Sequence, residues 1–377
     1  MVEFEPNDRS VEIIEKTNTI IAMKVIINSP SLDPKVNVSG ISAVTQFIIS
    51  NNKEIDYIHF EVGRKDAESQ GALSRVTRIL RNKKEWERLL KQNKDAVVHY
   101  NMPLMRAAII RDYLLLMVAH SLKLPIVLHI HGGKYIKERN RPWYINRLLK
   151  SIFSWGKHVI VLGEEEKEIL EEDFKLNNIV SLPNSIDLSE AREFNRNIEG
   201  KEILDILYLG RIEPNKGIDY IFEACKALKS EGVKFHLNFA GKEEIEGQYI
   251  PKFKEEFGKD FTFHGVVSGN KKSELLKKCE VFLLPSFFEG LPMSLLETMS
   301  FGQVPVVTAV GSIPSVVTDN INGVFIGIKN TDDIVCAVKR IAKDREFYSN
   351  LSENAKKTII EKFDDRKYIE QLNLLYQ

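Results

Sequence analysis

Glu289 and Glu297 stand eight residues apart within VFLLPSFFEGLPMSLLETMSFGQVPVV (281–307), and Arg211 and Lys216 stand five apart within YLGRIEPNKGIDYIFEA (208–224). An ionised carboxylate only accepts hydrogen bonds, which suits hydroxyl-rich partners such as a ribose or a hexose. Arginine offers a rigid fork and lysine a point charge, a pairing suited to a phosphate whose negative charge grows as it leaves. Alone, each pair reads as surface charge. Both, however, follow an apolar strand pattern and precede a helical one, so both belong at strand ends.

The local signals support that placement. A buried strand ends at Leu284, a Pro-Ser turn follows, and Glu289-Gly290 lead into a helix that accepts Pro292 in its first turn. The N–H groups at such a helix start, with the helix dipole, form a site for a diphosphate, and Gly290 lets a ligand approach the backbone. Were both glutamates helical they would lie about two turns apart and address different parts of one elongated ligand. Gly210 makes the corresponding turn before Arg211. Opposed cations and carboxylates at one crevice match a nucleotide-sugar.

Apolar runs alternate with longer helix-period segments almost throughout, the signature of parallel sheets with crossover helices and hence of the α/β class. Strands are expected at MKVIIN (23–28), YIHFEV (57–62), AVVHY (96–100), PIVLHI (125–130), HVIVL (158–162) and IVSLP (179–183). After the polar stretch DLSEAREFNRNIEGKE the pattern restarts at ILDILYLG (203–210), followed by KFHLNFAG, FTFHG, VFLLPS, VPVVTA and GVFIG. A chain of 377 residues exceeds what one core usually serves. The reading is therefore a polar extension over 1–22, one Rossmann-like domain over 23–190 and a second over 191–361. An amphipathic helix over 362–377 returns to the first domain. Doubly wound sheets bind ligands beyond the carboxyl ends of their strands, so two facing crevices make one cleft.

Lys and Arg balance Asp and Glu at 53 each, which gives no argument for a nucleic-acid partner. The distribution is uneven: residues 71–150 hold 17 Lys and Arg against 5 Asp and Glu, partly offset by GEEEKEILEED (163–173). Trp86, Trp143, Tyr144, Phe153 and Trp155 lie among these cations. Such a surface suits anionic lipid headgroups or a polyprenyl-diphosphate carrier, with a solvated helical face over core aromatics as the equal alternative. Cys225, Cys279 and Cys336 are too scattered for a zinc site and read as packing residues in a reducing compartment. His129 and His131 lack a third local ligand, so no metal is expected there. With no apolar run of about 18 residues, a cytoplasmic protein is expected, at the inner face of a membrane if the basic domain docks there.

The motif PSxxEGLPxxxLExMxxG around Glu289 and Glu297, with GRxxxxKG at Gly210–Gly217, resembles the large family of retaining glycosyltransferases, family 4, that includes sucrose synthase, bacterial mannosyltransferases and polysaccharide-assembly enzymes. The resemblance covers nearly the whole chain from Met23 and implies the two-domain GT-B fold. It implies that Arg211 and Lys216 bind the donor diphosphate, that Glu289 contacts the donor sugar and that Glu297 holds the ribose diol. Gly290, Leu291, Pro292 and Met293 complete the donor loop in the same motif, and Gly265 and Val267 in FHGVV are expected to line the base pocket. NVSGIS points to Gly40 as the phosphate-facing glycine of the first domain, and HIHGG points to His131 as a donor-side histidine. The chain departs from the family at Ser39, where a second glycine is common, at Ser185 in PNSID, and at Ser315 in GSIPSVV, where Glu is frequent. The expected activity is metal-independent, retaining transfer of a hexose from a UDP-sugar, or from GDP-mannose, to a glycan or polyprenyl-diphosphate-linked acceptor. A nucleotide-sugar 2-epimerase on the same architecture and a catalytically silent partner subunit are the alternatives. The basic first domain disfavours the epimerase, and the intact Arg211, Lys216, Glu289 and Glu297 disfavour the silent subunit.

Overall fold

The computed structural model describes residues 23–33, 36–37, 39–63, 72–197 and 201–377, of which 72–76 by their backbone alone. The expected extension over 1–22, and Val38 of the NVSGIS motif, lie outside them.

Two six-stranded parallel sheets carry the fold. The first contains β1 (Met23–Ser29), β2 (Ile55–Glu61), β3 (Val97–Met102), β4 (Ile126–Ile130), β5 (His158–Val161) and β6 (Ile179–Ser181), in spatial order 2-1-3-4-5-6. The second contains β7 (Leu204–Leu209), β8 (Phe235–Ala240), β9 (Phe261–Phe263), β10 (Val281–Leu284), β11 (Val304–Thr308) and β12 (Val324–Ile326), in order 12-11-10-7-8-9. Each strand falls on a segment expected from the sequence. Helices cover both faces of a parallel sheet, so its central strands are apolar without alternation. VVHYNM, IVLHI, VFLL and VPVVT are accordingly buried at every position.

The order of strands decides where ligands go. In the first sheet the chain reverses direction between β1 and β3, and in the second between β7 and β10, because β7 leads outward to β8 and β9 while β10 leads to β11 and β12. Loops leaving two adjacent strands in opposite directions open a crevice at the carboxyl edge. Arg211 follows β7 and Glu289 follows β10, so the switch point brings together residues 78 apart in sequence.

The chain passes from the first sheet to the second over 182–203. It returns through helix Arg345–Lys362 and the final helix Asp365–Tyr376, which packs on the first sheet. Tyr368 meets Phe47 edge to face at 5.6 Å between ring centroids, and the Tyr376 hydroxyl lies 2.7 Å from His99 Nδ1. Ser185 fastens this return: its hydroxyl donates to the Phe363 carbonyl at 2.7 Å. That contact gives Ser185 a structural use at a position where glycine would supply none.

Of the two readings of the aromatics among the cations, the core alternative holds for Trp86 and Phe153. Trp86 is fully buried between Phe60 and Tyr100, with its indole N–H donating to the Leu115 carbonyl at 3.0 Å, and Phe153 is fully buried against Phe174. On an amphipathic helix the aromatics occupy the apolar stripe while the cations take the wet face. Trp143, at 76% exposure, is the aromatic that does face solvent.

Candidate functional site

A cleft of about 570 Å³ separates the carboxyl edges of the two sheets. Gly210, Arg211, Lys216, Val267, Glu289, Pro292, Met293 and Glu297 line it from the second sheet, and Gly40 lines it from the first.

The second sheet delivers its groups by two loops. After β7, Gly210 and Arg211 turn off the strand, and the Arg211 carbonyl accepts a hydrogen bond from the Tyr208 hydroxyl, which ties the turn to the core. Pro214–Lys216 forms a single 3-10 turn that Gly217 ends at φ +73°, where an added Cβ would lie 2.2 Å from the Pro285 carbonyl oxygen. Only glycine fits there. The two loops thus touch, and the Lys216 ammonium donates to Glu289 Oε1 at 2.7 Å. Neither side chain is more than 21% exposed.

Glu289 is not helical. The helix begins at Met293 with Pro292 as its N-cap, and no side chain caps it. The two glutamates therefore do not share a helix face: Glu289 meets the cleft from the loop, and Glu297 meets it from the helix's second turn. Glu297 Oε1 accepts from the Lys272 ammonium at 2.8 Å. Lys272 escaped the sequence reading because it sits in an ordinary run of helix lysines, and only the approach of helices Gly269–Lys278 and Met293–Ser300 gives it a partner.

Four expected residues sit elsewhere. Gly265 is not among the residues that line the cleft; its backbone turns at φ +67°, its carbonyl accepting from the N–H of the cleft-lining Gly241 at 2.8 Å, two residues before Val267. His131, Gly290 and Leu291 line an adjoining cavity of about 210 Å³ that shares Ser39, Gly40, Glu289, Pro292 and Met293 with the cleft. Leu291 is buried, and its carbonyl accepts from Asn184 Nδ2 at 3.1 Å. Ser315, the third departure, only donates back to the Ser312 carbonyl at 2.7 Å.

The first sheet contributes helix Gly40–Asn51, whose N-cap Ser39 makes no side-chain capping bond, and His131 at the end of β4. His131 Nε2 lies 2.7 Å from Asn101 Oδ1. Burial, with His99 nearby, pulls the His131 pKa down to about 3, so the ring is neutral at ordinary pH. His129 is fully buried, with Nδ1 3.2 Å from His99 Nε2. Among the described residues no group of three or more His, Cys, Asp or Glu is arranged to hold a metal ion. A third pocket of about 200 Å³, lined by Ser29, Asn37, Asn101 and Arg111, opens on the first sheet's edge and shares Arg211 with the cleft.

Two family models account for most of the chain: residues 44–190 match "Glycosyltransferase Family 4" and residues 189–358 match "Glycosyl transferases group 1". A glycosyltransferase of Methanocaldococcus jannaschii without an assigned activity is 32% identical over 158 residues, which are 42% of this chain and 40% of that protein's length. The Escherichia coli protein named UDP-Gal:alpha-D-GlcNAc-diphosphoundecaprenol alpha-1,3-galactosyltransferase is 24% identical over 67% of this chain and 69% of its own. In three dimensions the chain is similar to sucrose-phosphate synthase of Thermosynechococcus elongatus, with a TM-score of 0.73 and 16% identity over 94% of this chain and 98% of that one.

Proposed function

The chain belongs to the family 4, group 1 glycosyltransferases of GT-B fold, and from that premise we propose that it moves a hexose, with retention of configuration, from a nucleotide-diphosphate sugar to a hydroxyl of a growing lipid-linked glycan in cell-surface polysaccharide assembly. The observation that carries this reading is the convergence of Arg211, Lys216, Glu289 and Glu297 on one cleft at the switch point of the second sheet. The E. coli relative, named for a UDP-sugar donor and a diphosphoundecaprenol-linked acceptor, favours a UDP-sugar over GDP-mannose.

In this reading Arg211 and Lys216 hold the diphosphate, Glu289 contacts the hexose and Glu297 the ribose diol. The bond from the anomeric carbon to the phosphate oxygen breaks while the acceptor oxygen bonds to the same face. The acceptor's proton passes to the departing phosphate, so no protein nucleophile is consumed. The protein's work is positioning and stabilisation of the charge that builds on the leaving group. The acceptor hydroxyl enters from the third pocket, since Arg211 borders both spaces.

Lys272 holds one oxygen of Glu297 and leaves the other for the diol. A partly exposed pair of this kind contributes up to about 1 kcal/mol, roughly fivefold. Lys272→Met is therefore expected to raise the donor KM about fivefold with turnover nearly kept, and Glu297→Ala to raise it further, because ribose binding is equal in ground and transition states. Initial rates against donor concentration measure both; an unchanged KM in Glu297→Ala contradicts the ribose role. With two cations on the diphosphate, activity is expected to survive EDTA. Loss in chelator with recovery in magnesium or manganese contradicts that.

Contact with the inner face of a membrane fits the surface beside the third pocket. Met105 and Ile110 are each 44% exposed, next to the exposed Arg106, and Arg106 packs over Tyr144, the neighbour of Trp143. Much of the remaining basic excess is answered locally: Lys137, Arg139 and Arg141 pair with Glu165, Glu172 and Asp173. No helix among the described residues is long and apolar enough to cross a membrane. Incubation with a panel of nucleotide sugars, with and without a lipid-linked acceptor fraction, tests the whole reading. Nucleotide release that requires the acceptor is expected; none with any donor contradicts it.

A further inference from the structure

The side-chain amide of Asn101 has one orientation. Its Nδ2 lies 2.7 Å from the Asn28 backbone carbonyl and 3.2 Å from Thr45 Oγ1. A carbonyl oxygen cannot donate, so the nitrogen must face it and Oδ1 must point the other way. The backbones lock the pair: Asn101 N–H donates to Asn28 Oδ1 at 2.7 Å, and Asn28 Nδ2 donates to the Asn101 carbonyl at 3.0 Å. Both asparagines are buried.

Oδ1 therefore faces His131 Nε2 at 2.7 Å purely as an acceptor, and that nitrogen must carry a proton. The network behind it is consistent. Asn52 Nδ2 donates to the Tyr57 hydroxyl, Tyr57 to the Tyr376 hydroxyl, and Tyr376 to His99 Nδ1. His99 Nε2–H is then left to face Asn101 Oδ1 at 3.3 Å and His129 Nδ1 at 3.2 Å. The links from Asn52 to His99 run with one polarity and end on Asn101 Oδ1, which accepts from His99 on one side and from His131 on the other. Since His131 is neutral, its second nitrogen, Nδ1, carries a lone pair. His131 lines the cavity that also holds Glu289, whose carboxylate is paired with Lys216.

We propose that Asn101 is a positioning residue that fixes His131 as the Nε2–H tautomer, so that Nδ1 offers a lone pair to the donor sugar and the site takes neutral sugars bearing a hydroxyl there while turning away uronic-acid donors. This rests on the transferase reading above. A hydroxyl donates to the lone pair, whereas a carboxylate would set its charge against that lone pair and the Glu289 carboxylate. Sequence alone hides the device, because Asn28, Asn101 and His131 end three different strands.

Two measurements test it. In protein labelled with ¹⁵N-histidine, with His131→Gln identifying the signal, the His131 ring is expected to show a neutral Nε2–H pattern between pH 6 and 9. An Nδ1–H or doubly protonated ring there overturns the proposal. This reading needs no turnover, so a chain that shows the tautomer but releases nucleotide from no donor refutes the transferase reading and not the tautomer. Asn101→Asp places a carboxylate on Nε2, which favours the imidazolium and makes Nδ1 a donor. Calorimetric titration with UDP-glucose and UDP-glucuronate is then expected to shift the affinity ratio at least tenfold towards the glucuronate, in protein whose circular dichroism is native. A native ratio that already favours the glucuronate, or a ratio unmoved in the folded variant, overturns the specificity role. If the buried carboxylate prevents folding, the native spectrum and native ratio still decide.

Discussion

Replacing Arg211 by alanine is expected to slow turnover about a hundredfold or more while donor affinity changes much less, because electrostatic groups aimed at developing charge contribute about 3 kcal/mol to the transition state. The turn after β7 holds Arg211 at the cleft, and its carbonyl is tied to Tyr208, so side-chain truncation leaves the backbone in place. Arg211→Lys should recover only part of the rate, since a point charge replaces a two-pronged fork. Steady-state kinetics on protein of native circular dichroism and melting temperature measure the effect. Near-normal turnover in folded Arg211→Ala would remove this residue from the proposed chemistry.

The second large effect is expected from a residue with no functional group. Gly311 has φ +59°, and a Cβ built on it would lie 2.1 Å from the Glu289 carbonyl oxygen and 2.7 Å from that of Gly290. Gly311→Ala must therefore move the loop that presents Glu289. Gly232 supplies the control: its φ is +75°, yet a Cβ there meets nothing within 4 Å. Both alanines bear the left-handed strain of about 1–2 kcal/mol, but only one displaces backbone at the cleft. Gly311→Ala is expected to lose activity by roughly a hundredfold or more and Gly232→Ala to keep most of it. Similar activities in the two folded variants would show that the Glu289 loop need not hold its position.

The strands were legible because parallel strands buried on both faces leave uninterrupted apolar runs, and VFLLPS or PIVLHI can hardly form anything else. Arg211, Lys216 and Glu289 were legible because each follows such a run at a turn, and Glu297 because it stands on the helix that the second of those turns begins. What the sequence concealed depends on contacts between distant segments. Lys272 is one lysine in a polar helix until packing sets it against Glu297. Asn101 looks like the last polar residue of a strand until β1 supplies the Asn28 carbonyl that orients it. Gly265 misled through its neighbour: the loop does reach the cleft, but Val267 lines it while the glycine makes the bend. Trp86 was left open between surface and core because basic residues surround it in sequence, and the helix turns it to the buried side.

The proposed site turns on where a nucleotide diphosphate sits. A crystal structure of the chain with UDP bound measures this directly. The diphosphate is predicted within about 3 Å of the Arg211 guanidinium and the Lys216 ammonium, with the ribose diol on the Glu297 oxygen that Lys272 leaves open. UDP seated elsewhere, with Arg211 and Lys216 making no contact to it, would contradict the proposed site.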